Sequence, residues 1–374
     1  MKFSFSRISQ IGQLLAAIVL CFPAPAAEKW KMQFFHDEEK SVLHIVDLQF
    51  PSATRGVAVG VIREGSREKP VAVVTTNGGT NWQTVELHDP PVSLFFLNES
   101  LGWLVTAKGG LWQTTEAGKN WRKLPRIPET ATRVYFTTEN DGFALGIKKK
   151  VFETHDGGNR WTPVAAAAEP PGNPDHSLYN WIAFANSKAG MIAGWNIPPR
   201  IRPERPAWLD PESAIERRDL PHLVYSLITN DGGKTWKSGS ASIFGEVTKF
   251  RFSPDGMGLG LIEHAPGFRY PSEVYKLDWK NGKNETVYRD RKFHITDIWL
   301  SPDGTAYLAG TVATGQLRSV IPGKVRVLKS RDWTSWIETE VYYQAVGNRV
   351  MLAAFGDDNV WMATDEGMIL KLVK

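Results

Sequence analysis

One phrase recurs along the chain at nearly even spacing. Thr75-Thr76-Asn77-Gly78-Gly79-Thr80-Asn81-Trp82 is followed by Thr114-Thr115-Glu116-Ala117-Gly118-Lys119-Asn120-Trp121, by Thr154-His155-Asp156-Gly157-Gly158-Asn159-Arg160-Trp161 and by Thr229-Asn230-Asp231-Gly232-Gly233-Lys234-Thr235-Trp236. The shared frame is Thr-x-(Asp/Asn/Glu)-x-Gly-x-x-Trp. A degenerate fifth copy, Lys329 to Trp336, keeps the last tryptophan and places Arg331 and Trp333 where the acid and the glycine stand. Self-similarity at a period of ~40 residues marks an architecture in which no unit buries its apolar face alone and neighbours supply the core.

The phrase has the chemistry of a hairpin turn. A short polar side chain at Asn77, Glu116, Asp156 and Asp231 can accept hydrogen bonds from the backbone of its own turn. Gly79, Gly118, Gly158 and Gly233 supply a positive φ that other residues resist. The threonine belongs to an incoming strand, where β-branched residues fit. Trp82, Trp121, Trp161 and Trp236 open the outgoing strand and carry enough area to seal one unit against the next. These twelve residues are therefore structural first.

Upstream of each copy lie a short apolar strand, a polar turn and two further strands. In the second unit these are Val92–Leu97, the turn at Asn98–Gly102, Trp103–Ala107 and Leu111–Thr115; in the third, Arg133–Thr137, Phe143–Ile147 and Lys150–Thr154. Ser253-Pro254-Asp255-Gly256, Ser301-Pro302-Asp303-Gly304 and Gly356-Asp357-Asp358-Asn359 keep the turn where the phrase itself decays. Short strands spaced by such turns read as all-β, and four per ~40 residues suit a propeller blade. Seven units start near His44, Val92, Arg133, Leu178, Val247, His294 and Tyr343. The seventh runs out at the C-terminus with three strands. Trp30–Phe35 is the missing fourth, so the expected fold is a seven-bladed β-propeller of four-stranded blades whose last blade is closed by the N-terminal strand. Six blades with a loose N-terminal strand is the alternative.

The first residues read as an export signal: Lys2 and Arg7, then the apolar run Ile11–Phe22, then Ala24-Pro25-Ala26 as a cleavage site. Residues 1–27 are assigned to it and 28–374 to the propeller. Lipidation of Cys21 is the rival reading, weakened by the bulky Leu20 before it. Cys21 is the single cysteine, so the chain after the signal has no disulfide, no thiolate nucleophile and no cysteine-bound metal. Residues 28–374 exceed the ~250–300 residues at which one hydrophobic core stops growing, so the core must be divided. The balance of 44 Lys+Arg against 40 Asp+Glu argues against nucleic acid, whose binders carry a clustered basic excess. No segment after the signal is apolar enough for a transmembrane helix.

One interval breaks the period. Trp161 to Trp236 spans 75 residues, and the excess lies at about 196–222, between the second and third strands of blade four. A short helix is expected there, with Asp210 as its N-cap and Pro211 in its first turn. Blades five and six have smaller expansions at the equivalent place, Glu263–Pro271 and Val312–Gly323. In a four-stranded blade these loops share one face with the connections between blades, and the repeated turns share the other. The expanded-loop face carries the candidate partner-binding residues Arg200, Arg202, Arg205, Trp208, Arg217, Arg218, Arg269, Tyr270 and Arg318, with His222, His264 and Lys324 nearby. Long loops on a rigid scaffold are where function concentrates, and arginine and aromatic side chains anchor interfaces.

The recurring phrase resembles the Asp-box, or BNR repeat. Asp-box propellers include sialidases, whose chemistry needs three arginines, a tyrosine–glutamate pair and an acidic proton donor. Glu263, Glu273, Tyr179, Tyr270 and the arginines supply those residue types without a recognisable motif, and Pro199-Arg200-Ile201-Arg202-Pro203 falls mid-chain. A sialidase-like glycosidase or a carbohydrate-binding propeller stays open as the second reading. The chain more nearly resembles the Ycf48/Hcf136-like group, exported seven-bladed Asp-box propellers, on the boxes at Asp156–Trp161 and Asp231–Trp236 and on length. That resemblance implies a non-catalytic scaffold without cofactor or metal, monomeric, located in the periplasm or, in a photosynthetic host, the thylakoid lumen. It implies a protein partner, membrane-associated, with photosystem II assembly as one specific case.

Overall fold

The structure, a computed structural model, describes residues 28–199, 221–253, 255–265, 268–278, 282–312, 323–342 and 344–373. Within them the apolar runs between Gly, Asp and Asn turns form seven sheets, antiparallel except for one two-residue pairing. Six sheets are built from four strands consecutive in sequence, as in blade one: Ser41–Gln49, Gly56–Glu64, Arg67–Thr75 and Gln83–Glu86. The first strands of successive blades touch one another around the ring and line an axial channel. The chain is a seven-bladed β-propeller.

Blade seven is closed by the N-terminal strand. Lys29–Phe35 pairs antiparallel with Met368–Val373, outside Asn359–Thr364 and Val350–Phe355. Trp30 is 1% exposed and its Nε1 donates to Thr339 Oγ1 at 2.9 Å. The first strands of blades one to six contain the expected starts. The seventh does not: it begins at Val350, not near Tyr343. The preceding residues, Glu340–Val341, instead pair in parallel with Lys29 and Trp30 and extend the closing sheet to five strands. Closure of this kind covers the outer side of the C-terminal strand, which would otherwise be an open edge.

The core is divided as the length requires. Seven apolar clusters lie between neighbouring blades, for example Val57, Val59, Val74, Leu94 and Leu104 between blades one and two, and Leu101, Trp103, Leu111, Val134 and Phe136 between two and three. Each box tryptophan packs back against the preceding blade. Trp82 meets Phe34 of blade seven at 6.0 Å, Trp161 joins the cluster of blades two and three, and Trp236 meets Phe143 of blade three edge-on at 5.4 Å.

Six of the seven first strands carry a β-bulge at the same place, at Val46, Val92, Thr132, Asn180, Thr248 and Thr296. A bulge re-aims the next side chain, and here those side chains hook the following blade. Asp47 Oδ2 accepts from Leu94 N at 2.9 Å, Ser93 Oγ donates to Thr132 O at 2.8 Å, and Asp297 Oδ2 accepts from Leu352 N at 2.9 Å. The second strand leaves room for the bulge: a Cβ on Gly146 or Gly310 would collide with the first strand's carbonyl at Thr130 or His294.

Candidate partner-binding site

The box face is a ring of self-satisfied turns. Thr75, Thr114, Thr154 and Thr229 each accept from the backbone N–H of the box glycine at 2.9–3.0 Å. Asn77, Asp156 and Asp231 each accept, at 2.9 Å, from the backbone N–H four residues on. Hydrogen bonds from the Thr235 hydroxyl and backbone bring the pKa of Asp231 down to about 2. Glu116, one methylene longer, accepts instead from the Asn120 side chain at 2.8 Å. Gly79, Gly118, Gly158 and Gly233 all have φ between 85° and 96°. A Cβ on Gly118 would also sit 2.8 Å from Val57 of the preceding blade. The fifth copy differs from the sequence reading. Its acid is not replaced by Arg331: the turn is one residue shorter, starts from Ser330, and uses Asp332, which accepts from Thr334 N at 2.9 Å and Ser335 N at 2.8 Å. Trp333 takes the position of the glycine at φ 60°.

On the opposite face, the long insertion of blade four joins Gly190–Asn196 to His222–Thr229. Arg200, Arg202, Arg205, Trp208, Arg217, Arg218 and the expected helix at Asp210 lie outside the described residues, as does Arg318. Arg269 and Tyr270 are described and stand together in the loop after Met257–Glu263 of blade five, with the Arg269 guanidinium 5.5 Å from the Tyr270 ring. Two further arginines that sequence reasoning did not single out converge on the same ring, Arg289 at 5.0 Å and Arg291 at 6.0 Å. They come from the end of the fourth strand and the connection to blade six. Since those connections share the expanded-loop face, the run Arg289-Asp290-Arg291-Lys292 was the available signal. Glu273 lies 3.6 Å from Arg289 and accepts from Tyr275 Oη at 2.5 Å.

Nearer the axis, Glu263 Oε1 meets Arg349 Nη2 at 2.9 Å and its Oε2 meets His294 Nε2 at 3.1 Å, joining blades five, six and seven. Burial works to raise the pKa of Glu263, but hydrogen bonds with His294 and Arg349 outweigh it and bring it to about 2. His222 Nδ1 lies 3.5 Å from Glu246. Burial, and then the charge of Glu263, push the pKa of Glu246 up. Lys324 is exposed.

Inside the channel the bulged strands gather charge around one indole. Arg133, Lys249 and Arg251 lie 4.7, 5.3 and 5.3 Å from the Trp181 ring. Lys249 pairs with Asp297 at 2.6 Å, and Arg133 lies 3.8 Å from Asp47. Cation–π contacts of desolvated side chains are worth about 2 kcal/mol each, so this belt is part of what holds the ring.

Of the side chains that would serve a glycosidase, Tyr270 and Glu273 both adjoin Arg289, whereas Tyr179 and Glu263 have other partners. Tyr179 is buried between blades three and four, donates to Ala167 O at 2.9 Å, and has its pKa raised by burial. Tyr275 is also pushed up, by burial and by its hydrogen bond to Glu273, which keeps the phenol protonated. Glu263 is engaged by Arg349 and His294. Among the described residues no group of three or more His, Asp or Glu is placed to hold a metal, and no helix is long and apolar enough to cross a membrane.

No family model matches the chain. A photosystem II assembly lipoprotein, Ycf48 of a Synechococcus strain, is 22% identical over 79% of this chain and 77% of its own length. The chloroplast photosystem II stability/assembly factor HCF136 of rice is 19% identical over 80% of this chain and 73% of its own. A solved structure of YCF48 bound to a D1 peptide covers 92% of this chain and 97% of that chain, with a TM-score of 0.58 and 17% identity. The chain resembles the Ycf48 propellers. YCF48 from Cyanidioschyzon merolae gives the same TM-score at 14% identity. The likeness in fold therefore spans most of the chain and is not confined to the box turns.

Proposed function

We propose that the chain is an exported, non-catalytic scaffold that holds a membrane-associated protein partner on its expanded-loop face. The observation that carries this reading is the gathering of Arg269, Arg289 and Arg291 around Tyr270 at the surface of a Ycf48-like propeller. Three guanidiniums on one ring, with Glu273 beside only one of them, leave donors for a partner's carboxylates and a flat apolar surface for its side chains. Arginine and tyrosine are the residue types that dominate binding energy in interface centres. The sequence also assigns the arginines of the blade-four insertion to the loops of this face. Ycf48 and HCF136 are by name assembly factors of photosystem II, and one Ycf48 structure holds a D1 peptide. A chain that shares their ring suits the same kind of work: binding a newly made membrane protein from the exported side. Photosystem assembly is the specific case in a photosynthetic host.

The test is capture in the native host. The tagged chain is compared with a version in which residues 197–221 are replaced by a short Gly/Ser turn and with the variant Arg269→Ala/Arg289→Ala/Arg291→Ala. A specific membrane protein held by the parent and lost by either variant supports the reading. Equal capture by all three moves the site off this face. Hydrolysis of sialosides or other glycans by the purified chain would overturn the non-catalytic reading.

A further inference from the structure

We infer that the outer edge of blade four is an acceptor for an extended peptide strand, whose alternate side chains enter an apolar cleft between blades four and five. The outermost strands of blades one, two, three and six are two to four residues long. Those of blades four and five are seven, Lys237–Ile243 and Lys283–Arg289. Long free edges invite strand pairing unless charges, prolines or bulges blunt them. Blade five has such devices, with Lys283, Glu285 and Arg289 on the strand and a bulge in its pairing at Val274/Tyr275. Blade four has Lys237 at the start of the strand and, against the strand, Ala165–Ala168 with Glu169, which accepts from Ser238. Its edge reads Ser-Gly-Ser-Ala-Ser through positions 238–242, and pairs with His222–Thr229 in unbroken register. One row of its backbone groups therefore faces outward with no strand beside it among the described residues.

The space next to this edge is the second half of the site. Among the described residues the core between blades four and five has three buried members, Trp181, Ala193 and Phe250. No box tryptophan packs there, whereas Trp236 does so between blades three and four and Trp336 between five and six. What remains is a cleft of about 880 Å³, lined by Val224, Ile228, Ala241, Phe252, Ile262 and Leu277. That is within the ~300–1,000 Å³ of ordinary ligand sites. Side chains on a strand alternate in direction, and Gly239, Ala241 and Ile243 are the members of the edge strand on the cleft side, two of them small enough to leave its mouth open. A strand added beside them would gain main-chain hydrogen bonds along the edge and apolar burial from every second residue, the two components of strand-addition recognition. The charged members of the lining are Glu273, which also meets Arg289, and Asp278, with no lysine or arginine among them, so the lining suits a neutral or basic peptide better than an acidic one. The occupant is thus an extended partner segment with Val, Ile, Leu or Phe at alternate positions and no acid among them. The cleft adjoins the arginine-bearing face, which it meets at Glu273 beside Arg289.

The probe is a dansylated peptide, Lys-Val-Thr-Val-Thr-Val-Lys, titrated into the full chain with hydrogen exchange as the readout. Saturable binding is expected, with slowed exchange of amides in 237–243 and none in the outer strands of blades one and six. Ala241→Arg and Leu277→Trp, each of which fills the cleft, should weaken binding about ten-fold or more. Leu277→Trp should do so with an unchanged or raised melting temperature, which separates blocking from misfolding. The inference is overturned if exchange at 237–243 is unmoved by millimolar peptide, or if both variants bind as the parent does. Protection of those amides by protein concentration alone, with a dimer in sedimentation, would also overturn it in favour of a second copy of the chain.

Discussion

The box glycine answers two demands at once, and the two can be separated by substitution. Gly233 has φ 93° and an added Cβ would collide with the ring of Phe143 on the preceding blade. Gly304 has φ 85° with open space around it. Gly304→Ala should cost about 1 kcal/mol, the backbone effect alone. Gly233→Ala should cost about 2–4 kcal/mol, since strain and overpacking add. Denaturant midpoints of the two variants check this; equal losses would mean that contact with the neighbouring blade is not what fixes the residue. Glu263 makes the residue-scale prediction for pH. Its folded pKa of about 2 lies below the ordinary ~4.3 of an unfolded glutamate, so its contribution is complete above about pH 5 and is lost as pH falls toward 2. Unfolding free energy should drop by on the order of 3 kcal/mol across that window. Glu263→Gln should flatten the profile there.

At the scale of the element, the propeller depends on the closing strand. Trp30 sits in the cluster of blades six and seven and its indole reaches Thr339, so Trp30→Ala should cost about 3–5 kcal/mol. A thermal scan measures it, and a melting temperature within a degree of the parent would show that the ring does not need the latch. This strand was legible because a tryptophan stood before the first unit as Trp82 stands before the second. The boxes were legible too, since glycine and tryptophan at fixed spacing have few other uses. What escaped was whatever depends on pairing across blades. Glu340–Val341 looks like the lead-in to a first strand, and only its parallel contact with Trp30 shows otherwise. The shortened turn at Ser330 hides its acid because spacing, not residue type, had changed. The six bulges leave a faint trace in the glycine of the facing strand, as at Gly146 and Gly310, and a lone glycine in an apolar run has several explanations.

At the scale of the molecule, the two faces divide labour. The box face spends its polar groups on its own turns, and the channel spends its cations on Trp181, Asp47 and Asp297. Among the described residues the expanded-loop face alone of the three gathers arginines on a half-buried tyrosine, and sequence could point there only through loop length. Arg269 and Tyr270 were visible as loop residues, whereas Arg289 and Arg291 needed the fold to be seen as their neighbours. The direct measurement is photo-crosslinking in the native host, with a photoreactive side chain at position 269 on that face or at position 159 on the box face. Adducts to one membrane protein from position 269, with none from 159, are the expected result. Adducts from 159 alone, or the same adducts from both, would contradict a scaffold that works through its expanded loops.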